Sequence, residues 1–239
     1  FNTHAPPFDD RRVRNALSMA VEREWIADKV IGMGNIPAWG LLPPGLAGPV
    51  SARPAWADWP REKRLRGARV LLDEAGYGAN NPLRFEIRFN SSAEHRRVAV
   101  AMAAMWKPLG IEASLFNSEA ALHFAALRRH EFSLSRSGWI ADLPTPENFL
   151  LVHQQANGGG NYSGYDNPDY DRLLARAIAE PNPSKRQRLM RKAEALLIAD
   201  MPILPLYFYV TRSLVADRIA GWEDNISNVH PSRTLRIRP

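Results

Sequence analysis

Residues 83–116 read LRFEIRFNSSAEHRRVAVAMAAMWKPLGIEASLF. Leu83, Phe85, Ile87 and Phe89 alternate with polar residues, the signature of a strand with one buried face. From Glu94 to Trp106 the period changes: Val98, Ala101, Met102 and Met105 recur as on the inward stripe of a helix. Gly110 closes that helix and 111–116 predicts the next strand. Strand, helix, strand in so short a span is a βαβ unit, with a right-handed crossover and parallel strands. The expected fold class is α/β.

Upstream of this unit, Asp9 or Asp10 can cap a helix whose apolar stripe is Val13, Ala16, Leu17 and Ala20. A second short helix holds Trp25, Ile26, Val30 and Ile31, and ends near Gly32 or Gly34. Residues 36–60 are dense in proline and glycine and predict a long irregular connection. A helix over 61–75 follows, with Leu65, Ala68, Leu71, Leu72 and Ala75 buried and Gly76 as its stop. Downstream, a helix over 119–129 leads into a strand at 132–139. A helix at 147–154, a flexible loop at 157–161 and two further helices come next, the second capped by Ser184. The tail changes character, with strands expected at 203–210 (ILPLYFYV), 213–216 and 235–238.

The chain has 239 residues, 45% hydrophobic and 23% charged, which is ordinary for a globular protein. Its apolar runs fall far short of the ~20 residues of a membrane-spanning helix. With 31 Lys and Arg against 25 Asp and Glu the net charge is +6. The basic residues are dispersed among acids on the polar sides of helical patterns, so they read as solvated faces and not as a nucleic-acid footprint. The absence of cysteine excludes disulfides, thiolate zinc sites and a cysteine nucleophile. Phe1-Asn2-Thr3-His4 lacks the basic start and apolar core of a signal peptide, and a mature exported product has the same appearance.

Catalytic signatures are missing. Ser163, in Gly160-Asn161-Tyr162-Ser163-Gly164, has its first glycine misplaced for a nucleophile elbow. Gly158 to Gly160 follow no strand and precede no Lys-Ser/Thr pair, so they make no phosphate loop. The histidines at 4, 95, 123, 130, 153 and 230 show no metal-ligand spacing, and no cofactor is expected. The chemistry concentrates instead in 133–150, SLSRSGWIADLPTPENFL. Pro144 and Pro146 end its strand by about Asp142, and a helix starts after them. Arg136 and Asp142, a cation and an anion flanking Gly138 and Trp139, suit a small zwitterion at a strand end. They also suit a structural ion pair or caps beside the prolines, and Trp139 suits core. The competing enzyme reading is a peptide or amide hydrolase built on Asp142, Glu147 and His153, which lacks a visible nucleophile or metal.

Several stretches, in order along the chain, resemble the periplasmic oligopeptide- and dipeptide-binding proteins of ABC importers. They are Asn2-Thr3 with Pro6-Pro7-Phe8-Asp9-Asp10 and Val13-Arg14-Asn15-Ala16-Leu17, then Gly34-Asn35-Ile36-Pro37-Ala38 with Pro43-Pro44. Ala75-Gly76-Tyr77, Phe89-Asn90-Ser91-Ser92 with His95, and Gly138-Trp139-Ile140-Ala141-Asp142 with Pro146 and Asn148-Phe149 follow. Pro205-Leu206-Tyr207-Phe208-Tyr209 is the last. The resemblance implies that Asp142 takes a peptide's α-ammonium group and that the main chain of Gly138, Trp139 and Ile140 pairs with the ligand as a β-strand. It implies a pocket-wall role for Trp139, a carboxylate-meeting role for Arg136 with His95 near the same end, and a pocket role for Tyr209.

By the same resemblance residues 1–195 are the second, ligand-binding lobe, with βαβ units, and 196–239 are a C-terminal segment that in relatives returns to the first lobe. The implied protein is extracytoplasmic and no enzyme, and hands short peptides to an importer permease. Members of the family are longer, and the first part of their N-terminal lobe has no counterpart here. Ile140 stands where some relatives carry a disulfide cysteine.

Overall fold

The computed structural model describes residues 1–46 and 52–238. Its framework is a three-stranded parallel sheet in the order β3-β2-β4, with helices against it. β2 (Arg84–Asn90), α4 (Ala93–Trp106) and β3 (Glu112–Ser118) form the βαβ unit that the periodicity predicts. Phe85, Ile87 and Phe89 are buried while Glu86, Arg88 and Asn90 between and after them are half-buried, and Ile87 lies opposite Leu115 of β3. The Ser92 hydroxyl caps α4 by accepting from the His95 N–H.

α1 (Arg11–Ala20) starts at Asp10, whose carboxylate accepts from the Arg12 N–H at 2.7 Å. Val13, Ala16, Leu17 and Ala20 are all buried, and α1 packs on α3 (Arg61–Glu74). Leu65, Ala68 and Leu72 of α3 enter the core, whereas Leu71 and Ala75 are only partly covered. The expected second helix is a single turn, α2 (Arg23–Trp25), running into a π-helical Ile26–Ile31 that stops at Gly32, φ 71°. Trp106, fully buried, donates from Nε1 to Leu17 O at 2.9 Å and so joins α4 to α1.

α5 (Ala120–Arg128) leads to β4 (Leu134–Ser135), the partner of β2 on its other edge. The expected strand at 132–139 is therefore cut to two residues. The Arg136 N–H still reaches Arg88 O at 2.8 Å, but beyond it the chain leaves the ladder. The helix expected at 147–154 is α6 (Pro146–Leu150) followed by a 3₁₀ turn, Leu151–His153. The glycine-rich 157–161 loop is mostly a 3₁₀ segment, Gln155–Gly160, broken at Gly158. α7 (Pro168–Ala179) and α8 (Pro183–Asp200) pack together over a second hydrophobic cluster that includes Leu150, Tyr170, Leu174, Met190 and Leu197. Asn182, not Ser184, caps α8: its side chain accepts from the Lys185 N–H, and Pro183 takes the first helical position where no N–H is needed.

Among the described residues, the irregular connection over 36–60 contains one strand pairing. β1 (Ile36–Pro37) joins β5 (Tyr207–Phe208) antiparallel, while the 47–51 part of that expectation lies outside the described residues. The strand expected at 203–210 shrinks to β5 because Pro202 and Pro205 lack the N–H a ladder needs. No ladder forms at 213–216, which has no partner strand beside it among the described residues; Leu214 is wholly exposed. β6 (Ile219–Ala220) and β7 (Arg236–Ile237) make a last antiparallel pair, the second at the expected place.

Candidate functional site

Where the chain leaves β4 it brings together residues far apart in sequence. The Arg136 guanidinium donates from Nη2 to the Tyr207 hydroxyl at 3.3 Å and to the Tyr209 hydroxyl. It also lies over the Tyr209 ring, 5.7 Å from its centroid. Period-2 geometry explains the pair: residues 207 and 209 fall on one side of the returning strand, and their rings meet edge to face at 5.4 Å. A Cβ placed on Gly138 would lie 3.5 Å from Tyr209 Cε2 and 3.7 Å from Arg136 Nη1. Arg136, Gly138 and Tyr209, three of the sequence candidates, thus form one cluster.

His95 borders it from the first turn of α4, with Nδ1 3.4 Å from Asn90 O. Burial, and then the nearby Arg136 charge, lower the His95 pKa and keep the ring neutral at pH 7. Behind it His123 is fully buried, Nε2 3.5 Å from the Ser135 hydroxyl and Nδ1 without a partner. Burial lowers its pKa as well, with the charges of Arg88 and Arg136 in the same direction. No ion pair reaches Arg136 among the described residues. Its remaining N–H donors suit a carboxylate.

Gly138, Trp139 and Ile140 lie in no helix or strand, and their main-chain N–H and C=O groups make no hydrogen bond among the described residues. Trp139 is 45% exposed and Ile140 83%, so Trp139 is not core. The Asn148 side chain holds this stretch: its Oδ1 accepts from Trp139 Nε1 and from the Asp142 N–H, both at 3.2 Å. Asp142 is exposed and its carboxylate makes no ion pair among the described residues, so the Arg136–Asp142 pair allowed by the sequence does not form.

Asn148, Tyr207 and Glu94 carry no role in the sequence reading. Tyr207 was detectable from its two-residue spacing to Tyr209. Glu94 was not, because its Oε1 accepts from the Tyr207 hydroxyl at 3.3 Å across 113 residues of chain. Asp142, Glu147 and His153 are joined by no hydrogen bond. Among the described residues no group of three or more His, Cys, Asp or Glu side chains could hold a metal ion, and no helix is long and apolar enough to cross a membrane.

The architecture is that of the periplasmic binding proteins. It superposes on the murein peptide-binding protein MppA in its unliganded open form with a TM-score of 0.91 at 34% identity, over 99% of this chain and 46% of that one. Against the Haemophilus influenzae OppA complex with the peptide RPPGFSPFR the TM-score is 0.88 at 32% identity, over 100% and 47%. In sequence the chain is 35% identical to the periplasmic oligopeptide-binding protein OppA of Escherichia coli over 232 residues, 96% of this chain and 42% of that protein. The family described as bacterial extracellular solute-binding proteins, family 5, middle region, matches residues 1–161, and the chain belongs to it. It spans less than half the length of these relatives.

Proposed function

We propose that the chain is the C-terminal part of an extracytoplasmic solute-binding subunit that captures short peptides and delivers them to an ABC-type importer permease. The observation that carries this reading is the run of free main-chain groups at 138–140, ending at an unpaired, exposed Asp142 and beginning beside Arg136. An extended peptide can hydrogen-bond to such a run whatever its sequence, its α-ammonium group meeting Asp142. Its carboxylate meets Arg136, with His95, Trp139 and Tyr209 forming walls. The peptide complex of the Haemophilus influenzae relative supports the ligand class.

In this reading residues 1–195 form the ligand-binding lobe and 196–239 complete the other lobe, which a longer protein supplies. α8 runs unbroken from Pro183 to Asp200 and so spans that boundary, and Met201, with φ 52°, ends the helix beyond it. Capture needs the lobes to close on the peptide, and no bond is made or broken.

The experiment is calorimetry on the full-length protein with Asp142→Asn. A desolvated ammonium deprived of its carboxylate costs about 2–5 kcal/mol, so free-amino tripeptides weaken by at least about thirtyfold. N-acetylated tripeptides, which carry no such charge, change little. Equal losses for both remove Asp142 from its role.

A further inference from the structure

Tyr207 and Tyr209 present hydroxyls to the same guanidinium, yet the two hydroxyls differ. Arginine only donates and an ionised carboxylate only accepts. The Tyr207 hydroxyl therefore accepts from Arg136 Nη2 at 3.3 Å and directs its own proton to Glu94 Oε1, also at 3.3 Å. Its donor is committed inward. The Tyr209 hydroxyl accepts from the same Nη2, has no acceptor for its proton among the described residues, and belongs to a residue 48% exposed. Its donor is available outward, beside the free donors of Arg136.

We propose that Glu94 and Tyr207 are positioning residues for Arg136. The chain Glu94–Tyr207–Arg136 fixes the rotation of the guanidinium, so that Nη1 of Arg136, on the side of Gly138, and the Tyr209 O–H form a pair of donors for one carboxylate. The inference rests on the peptide-binding reading and names the device that sets its carboxylate end. Two elements distant in sequence create it: Glu94 lies in the first turn of α4, close to the end of β2, and Tyr207 lies in β5, whose register is set by Pro37. Burial raises the Tyr207 pKa, so the phenol keeps its proton and the direction of the chain does not invert.

The test uses the full-length protein and pairs of otherwise identical peptides with a free carboxylate or a C-terminal amide. Tyr207→Phe removes the relay while keeping the ring. It weakens free-carboxylate peptides about tenfold, the worth of one hydrogen bond to a charged group, and leaves the amides unchanged. Glu94→Ala does the same, whereas Glu94→Gln, which keeps an acceptor oxygen, stays within about threefold of wild type. If Tyr207→Phe weakens amides as much as acids, or if Glu94→Gln falls with Glu94→Ala, the relay is wrong.

Arg136→Gln separates the levels. Should it leave the preference for a free carboxylate intact, the site reading and the relay fail together. Should it abolish that preference while Tyr207→Phe retains it, only the relay fails. Nitrogen-15 NMR of the arginine side chains gives a readout that needs no ligand. Rotation about the Arg136 Cζ–Nη bonds is slow in wild type and fast in Tyr207→Phe, and equal rates in the two overturn the proposal.

Discussion

His123 is a buried histidine with one ring nitrogen unsatisfied, and its proton balance affects stability. Burial lowers its folded pKa below the ordinary value near 6.5. The sign follows from linkage: just below pH 6.5 the unfolded chain binds a proton that the folded chain refuses. Stability is thus present above pH 6.5 and is lost as pH falls toward the folded pKa, by up to about 1.4 kcal/mol per pH unit from this residue. Denaturant unfolding at pH 7.5 and pH 5.5 measures the loss, and His123→Asn reduces it; an unchanged difference in the variant assigns the effect elsewhere. None of this is legible in sequence, where His123 is one unpatterned histidine among six. Arg136 beside Gly138 was legible as a candidate from the charges that flank the strand end, whereas Tyr209 was legible only through the family's motifs. Their meeting depends on a strand crossing more than 70 residues of chain, which no local pattern encodes.

At the scale of elements, α1 is the anchor of the returning chain. Arg14 donates to Phe8 O at 2.7 Å, Asp9 O at 3.1 Å, Met201 O at 3.1 Å and, through Nη2, to Asp200 O at 2.6 Å. These are the carbonyls before α1 and at the end of α8, groups that helices and turns leave without internal partners. Arg23, fully buried, does the same for Ser18 O and Pro205 O, and its guanidinium stacks 4.2 Å from the Trp39 ring centroid. Arg14→Met keeps the aliphatic stem but strands these carbonyls, at a cost of about 3 kcal/mol. In a chain of this size that lowers Tm by about 6–12 °C, measurable by calorimetry, and a shift within 2 °C contradicts the anchoring role.

Helix α1 and the βαβ unit were the most readable elements, because their apolar spacing is set by their own burial. The short strands were not readable. β1 and β5 are defined by pairing with each other, and an isolated two-residue stretch carries no period. The strand at 132–139 was overextended because alternation persists past the point where the chain needs to leave the sheet for the site.

For the whole molecule, burial divides the chain sharply. Buried side chains occur up to Met201 and Pro202, and among the described residues after Pro202 none is buried. Residues 211–238 include Leu214, Ile226, Val229 and Ile237, all more than half exposed, and their one pairing is β6 with β7. Local opening there costs little. Brief trypsin digestion of this chain by itself therefore cuts first at Arg212 or Arg218, and mass spectrometry finds a stable product that retains residues 1–210. Early cuts inside α7 or α8 instead contradict the division. In the full-length protein the same sites become protected if the segment completes the other lobe.

The buried guanidiniums of Arg14 and Arg23 are held by carbonyl dipoles and not by carboxylates, and this has a consequence for the medium. An ion pair on the surface weakens when mobile ions gather around it, within a Debye length that shrinks from about 10 Å to about 3 Å between 0.1 M and 1 M salt. A dipole facing a charge across one hydrogen bond, with no room for an ion between, keeps its strength. Surface pairs such as Arg84–Glu112 and Arg129–Glu131 dissolve into the electrolyte while the seam between α1 and the returning chain holds. The fold is joined where the chain re-enters by contacts that are indifferent to ionic strength.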